Sequence, residues 1–168
     1  IVEFVSANPT GPLHAGHGRG ACYGDSVARL LERSGYSVSR EFYVNDRGTQ
    51  MNLFASSLAA SAADEEVPVD GYHGAYIKEW STDLPEGEDP LDWGKKRALS
   101  SHKEVLSSLN IEFDSWFSEN SMVESGSIEK TLSLLDEASA SYEKDGGIWL
   151  KSTQYGDDKD RVLVKSDG

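Results

Sequence analysis

Cysteine is nearly absent. The single Cys22 among 168 residues has no intrachain partner, which excludes a disulfide-stapled scaffold and fits a reducing compartment. Long apolar runs are missing too, and none nears the ~18 residues of a membrane span. The apolar opening has neither a basic flank nor a cleavage site, so it does not read as a signal peptide. A cytoplasmic protein with no membrane partner is expected. Positive charge is scarce. Against 29 Asp and Glu stand 16 Lys and Arg, a net charge of −13, so the chain as a whole cannot offer the clustered cations that neutralise nucleic-acid phosphates. A polyanion partner would have to be held by local contacts or by parts outside the chain. There is no internal repeat and no low-complexity tract. An initial methionine is also missing. The chain opens at Ile1 directly into a strand and closes at Asp167-Gly168 as a turn begins, so both ends read as cuts within a larger protein.

What is present is an α/β pattern. The apolar, β-branched run over 2–5 predicts a strand, and Pro9, Gly11 and Pro12 prevent residues 6–12 from continuing it. A helix follows over 14–33, with Tyr23, Val27, Leu30 and Leu31 on its predicted buried face and Gly35 at its end. A second strand over 38–44 completes a parallel βαβ unit. Gly48 opens a second helix with Met51, Phe54, Ala55 and Leu58 inside. Over 60–90 the periodicity breaks, leaving Tyr72, Tyr76, Ile77 and Trp80 as apolar islands among acidic residues, glycines and prolines; this reads as an irregular insertion. A third helix over 91–109, with Ala98, His102, Val105 and Leu109 on one face, leads to a strand over 111–117. A boundary near Asn120 separates residues 1–119 from 120–168. Beyond it, Ser127 is the expected N-cap of a helix with a stripe of Ile128, Leu132, Leu135 and Tyr142. Residues 148–150 and 161–165 flank Gly156-Asp157-Asp158 as a hairpin.

The chemistry concentrates where the first strand feeds the first helix. His14 and His17 are three residues apart at a helix N-terminus, so they share one face with free backbone N–H groups and the positive end of the helix dipole. Imidazole donors there suit phosphoryl oxygens on which charge builds during displacement. Gly16, without a Cβ, leaves room for a flat base or a close backbone. From His-x-Gly-His alone an exposed helix start with two incidental histidines remains open. A metal pair is the weaker third reading, since no Cys or carboxylate with ligand spacing accompanies it, and no protein metal site is expected. His73 and His102 have no partners in sequence and read as structural, as do Cys22 and the four tryptophans.

Residues 2–20, Val-Glu-Phe-Val-Ser-Ala-Asn-Pro-Thr-Gly-Pro-Leu-His-Ala-Gly-His-Gly-Arg-Gly, resemble the signature region of arginyl-tRNA synthetases. Further likenesses follow in order at Phe42-Tyr43-Val44-Asn45-Asp46, at Phe113-Asp114 with Glu119, and over 156–168. His-x-Gly-His is common to class I synthetases and related nucleotidyltransferases; the preceding Glu-Phe-x-Ser-x-Asn-Pro-Thr-Gly-Pro is far more particular. The resemblance implies a Rossmann-type parallel sheet, the N-terminal half of a class I catalytic domain, followed by part of a connective insertion. It implies ATP, as its Mg2+ complex, L-arginine and tRNA(Arg) as the full enzyme's substrates, and a monomer. By position His14 and His17 would be catalytic. Pro12, His14, Gly16 and His17 would bind ATP, and Glu3, Ser6, Asn8 and His14 would bind arginine. Lys159 and Arg161 are the candidate contacts to the tRNA acceptor end. The family's Lys-Met-Ser-Lys-Ser-like loop and anticodon-binding domain are not in the sequence, so these 168 residues alone are expected to be inactive. A nucleotidyltransferase outside translation, or a non-catalytic binding module derived from a synthetase, are the alternatives.

Overall fold

Three parallel strands, β1 (Val2–Glu3), β2 (Arg40–Val44) and β3 (Ser115–Ser118), lie in the order β1-β2-β3 in the computed structural model, which describes residues 1–166. Parallel neighbours need long crossovers. The first is α1 (Ala15–Arg33); the second contains α2 (Thr49–Ala62), α3 (Ala75–Ser81) and α4 (Pro90–Ser108). This is the parallel α/β arrangement expected from the sequence. The chain divides into two compact units, residues 1–120 and the residues from Ser121 onward.

β1 is shorter than the apolar run implies. Val5 and Ser6 take φ of +66° and +43°, the left-handed region that a β-branched residue enters only under constraint. The constraint is visible. Val5 packs against the core, and Ser6 Oγ donates to Glu3 Oε1 while accepting the Tyr43 N–H at 3.1 Å. The chain thus turns sharply off the end of the sheet.

The buried face of α1 differs from the one its large apolar residues suggest. Ala21, Gly24, Asp25 and Ala28 are buried, whereas Tyr23 and Leu30 are 74% and 68% exposed. Small residues let the helix backbone come close to the sheet. A Cβ on Gly24 would run into the Phe4 side chain. Asp25 is tolerated inside because Arg29 Nε donates to it at 2.5 Å, with Arg40 Nε at 3.4 Å on its other oxygen. Arg40 also holds Glu32 through both terminal nitrogens, at 2.7 and 3.0 Å.

Under the sheet, Phe42 is fully buried, stacked on Trp116 (centroids 4.3 Å) and edge-on to Phe113 (5.4 Å). Burying one such ring contributes about 1.5–3 kcal/mol. A second cluster joins Met51, Phe54 and Leu58 of α2 to Ile77 and Trp80 of α3 and Ala98 of α4. The apolar islands of the 60–90 segment are therefore core residues. α3, with seven residues, is too short to show a periodicity. Ser57 ties the segment down by accepting the Tyr72 N–H at 2.8 Å. α4 buries Ala98, His102 and Leu106, while Val105 and Leu109 are exposed. β3 starts later than expected, at Ser115, because the Ile111 N–H closes the end of α4 on Leu106 O.

The second unit holds α5 (Glu119–Glu124, across the division), α6 (Ser127–Glu137) and an antiparallel sheet in the order β4-β5-β6. Its strands are β4 (Ser141–Lys144), β5 (Gly147–Leu150) and β6 (Arg161–Val164). The expected hairpin is present as β5 and β6, joined through a 3-10 turn at Ser152–Tyr155, and β4 makes it three-stranded. Tyr142, placed by spacing on the helix, lies in β4, since α6 stops at Glu137. Its N-cap is Gly126 (φ +67°) rather than Ser127. Asp167 and Gly168 of the closing motif lie outside the described residues.

Candidate active site

Ligands of open α/β sheets bind beyond the carboxyl ends of the strands. In the first unit that edge carries the loop from Phe4 to Leu13. Although irregular, the loop buries Ala7, Pro9 and Thr10. A buried loop must find partners for its polar backbone. Thr10 O accepts from Tyr76 Oη and Gly11 O from His102 Nε2, both at 2.8 Å. Burial pushes the Tyr76 phenol up to about 12, so it stays a donor.

The loop delivers the chain to α1 with His14 as N-cap (φ −116°, ψ 174°). The Gly16 N–H donates to His14 Nδ1 at 3.1 Å, and the His14 N–H donates to His17 Nδ1 at 3.2 Å. This is a capping box made by two imidazoles. It fixes the tautomers. A backbone N–H can only donate, so each Nδ1 must be bare and each neutral ring carries its proton on Nε2. The rings stack at 3.7 Å, which brings two Nε2–H donors together on one side of the helix start. Burial, reinforced by His14, holds the His17 imidazole below its usual range. A Cβ on Gly16 would come within 2.9 Å of the His14 ring, so glycine is needed for the box itself.

Asn8, Pro12, His14 and His17 line one open cleft of about 350 Å3. Its remaining wall includes Tyr72, Tyr76 and His102, three residues that sequence reasoning did not assign to the site. Spacing could not reveal them, since they come from α4 and the segment around α3. His102 is completely buried, and burial, with a contribution from His17, keeps its imidazole below the usual range against the opposing Gly11 hydrogen bond. Its Nδ1 is the buried side-chain atom without a partner among the described residues.

Glu3 and Ser6 sit beside this cleft in sequence but do not line it; they are hydrogen-bonded to each other. Asn8 Nδ2 donates to Gln50 Oε1 at 2.6 Å. Burial raises the Tyr43 phenol pKa, and the negative charges of Glu119, Asp46 and Glu3 add to the shift. Asp46 is itself anchored by Ser118 Oγ (2.7 Å), the Asn120 N–H (3.0 Å) and Lys95 (3.5 Å). Burial works to raise its pKa, but those three partners outweigh it and hold the carboxyl below its usual range.

In the second unit Lys159 is exposed, whereas Arg161 is taken up by Asp157 and Asp158 at 2.6–2.7 Å and is not a free cation. Among the described residues no group of three His, Cys, Asp or Glu is placed to hold a metal, and no helix is long and apolar enough to cross a membrane.

This geometry has known counterparts. The family model for tRNA synthetases class I (R), catalytic domain, matches residues 1–89. An arginine–tRNA ligase of Shouchella clausii is 46% identical, the match covering 100% of this chain and 34% of that protein. Arginine–tRNA ligase 1 of Halalkalibacterium halodurans is 47% identical over 99% of this chain and 34% of its own length. A crystal structure from Campylobacter jejuni, described as an arginyl-tRNA synthetase, superimposes with a TM-score of 0.86 at 39% identity, covering 99% of this chain and 40% of that one. The Thermus thermophilus arginyl-tRNA synthetase shares the fold (TM-score 0.71, 23% identity, 99% of this chain and 32% of that one). The chain spans about a third of the length of the curated relatives it matches. With more than half of it matched by the family model, the chain belongs to the class I arginyl-tRNA synthetase catalytic-domain family.

Proposed function

We propose that the longer protein containing this chain is an arginine–tRNA ligase, a monomeric cytoplasmic enzyme of translation, and that the first unit is one wall of its adenylation site. A carboxylate oxygen of arginine bonds to the α-phosphorus of ATP, the bond from that phosphorus to the bridging oxygen breaks, and pyrophosphate leaves. The terminal ribose hydroxyl of tRNA(Arg) then attacks the arginyl carbonyl, and AMP departs. The observation that carries this reading is the double-imidazole capping box, which presents two Nε2–H donors on a cleft at a helix N-terminus. Fixed donors help most where charge develops, here on the phosphoryl oxygens. Pro12 and Gly16 would lie along the nucleotide. Mg2+ would arrive as the ATP complex.

Arginine is the cation that suits a carboxylate at this sheet edge, with Glu3 as its principal partner beside Ser6 and Asn8. The ligase names of the relatives support this reading over a nucleotidyltransferase outside translation. For tRNA, Lys159 is the better candidate of the two cations in the second unit, because Arg161 is already paired. Glu3→Gln tests the arginine assignment. Glutamine still accepts from Ser6 but loses the charge, so the KM for arginine should rise about 10–100-fold in ATP–pyrophosphate exchange by the full-length protein, with KM for ATP little changed. An unaltered arginine KM would remove Glu3 from the site.

A further inference from the structure

The loop ahead of α1 is gripped at two consecutive carbonyls by side chains distant in sequence. Tyr76 on α3 donates to Thr10 O, and His102 on α4 donates to Gly11 O, each at 2.8 Å. The grip is tight: a Cβ on Gly11 would lie 2.9 Å from Tyr76 Oη and Cζ. Three residues after Gly11 the chain reaches His14, whose own N–H and ring build the capping box. A shift of the loop therefore carries both imidazoles with it.

His102 is a costly residue for packing alone. It is completely buried, and its Nδ1 has no partner among the described residues. A buried acceptor left unpaired is a penalty that an apolar residue of similar size would avoid. The retained nitrogen is the one that donates to Gly11. We infer that Tyr76 and His102 are a two-point clamp on the Thr10–Gly11 carbonyls that sets the placement of the His14 and His17 imidazoles for phosphoryl displacement. Both act as positioning residues. The inference rests on the adenylation reading above, and it adds α3 and α4 to the parts that control the reaction.

Four variants of the full-length protein test it: Tyr76→Phe, His102→Met, His102→Gln and the double variant Tyr76→Phe/His102→Met. A glutamine Nε2 can stand where the imidazole Nε2 does and still donate to Gly11; methionine fills the space without a donor. In arginine-dependent ATP–pyrophosphate exchange with tRNA present, Tyr76→Phe and His102→Met should each lower kcat about ten-fold with KM for ATP within about two-fold, because a small misplacement of reacting groups is felt in the transition state. His102→Gln should recover most of that loss, and the double variant should lose less than the product of the singles, since the two donors hold one loop. His102→Met removes one unpaired acceptor, Nδ1, and creates another, Gly11 O, so its melting temperature should stay near the wild type. A His102→Gln variant as slow as His102→Met, unchanged kcat in all four, or losses confined to KM would overturn the clamp. Wild-type protein inactive with arginine would sink the ligase proposal instead. The clamp would then be judged on the His14 and His17 imidazole nitrogen resonances. Shifts in Tyr76→Phe and His102→Met but not in His102→Gln support it, and resonances unmoved in all variants refute it.

Discussion

His17→Asn is expected to slow ATP–pyrophosphate exchange by the full-length protein about 10²–10³-fold, the usual cost of deleting one preorganised donor to a developing oxyanion. The asparagine Oδ1 can replace His17 Nδ1 as acceptor of the His14 N–H, so the helix cap survives while the Nε2–H donor is lost. His17→Lys is the converse. Its ammonium can donate near the Nε2 position, but a lysine has no acceptor for the His14 N–H, and the helix start should lose about 1 kcal/mol. The pair thus separates two jobs of one ring. Asparagine should leave the melting temperature near the wild type and remove activity, and lysine should retain more activity on a less stable helix start. If both variants lose activity and stability in the same proportion, His17 serves only to cap α1.

Gly24→Val should have the largest effect on stability. Any Cβ at Gly24 falls on the Phe4 side chain, and Phe4 has little room to retreat, with its ring 4.5 Å from Phe113. Overpacking of this kind costs about 1–3 kcal/mol, and the β-branched side chain adds to it, so a fall of several degrees in melting temperature is expected. Gly20→Ala on the same helix is the control. Its Cβ would meet nothing within 4 Å, so it should stabilise by up to about 1 kcal/mol through helix propensity. Phe4 lies between Glu3 and the left-handed Val5, so Gly24→Val should also weaken arginine binding, whereas Gly20→Ala should not. Equal melting temperatures for both variants would mean that α1 does not approach β1 as closely as described.

Of the candidate residues read from the opening stretch of sequence, some share the cleft and Glu3, Ser6 and Gly16 do not line it. Asn8, Pro12, His14 and His17 come from the same ten residues and line the same cleft. The partners that hold this stretch were not legible. Tyr76 and His102 stand 66 and 91 residues from the carbonyls they hold, and no local spacing encodes such a contact. Periodicity also misled where small residues made the contact. Tyr23 and Leu30 carry the strong apolar signal of α1, yet Ala21, Gly24 and Ala28 face the core, because close approach of a helix to a sheet selects for absence of bulk. In the second unit Tyr142 continued the spacing of Leu135 by seven residues and so hid β4. The chain had already left the helix through Ser139, at φ +54°. Arg161 shows the same limit for charge. Its sequence neighbours Asp157 and Asp158 were visible, but only geometry revealed that they occupy its guanidinium.

The decisive measurement is ATP–pyrophosphate exchange by the full-length protein with each amino acid in turn, with and without tRNA. Exchange is expected with arginine and with no other amino acid. Exchange supported by a different amino acid, or none with arginine in the presence of tRNA, would contradict the assignment of the two-histidine cleft and its neighbouring carboxylates to arginyl-adenylate formation.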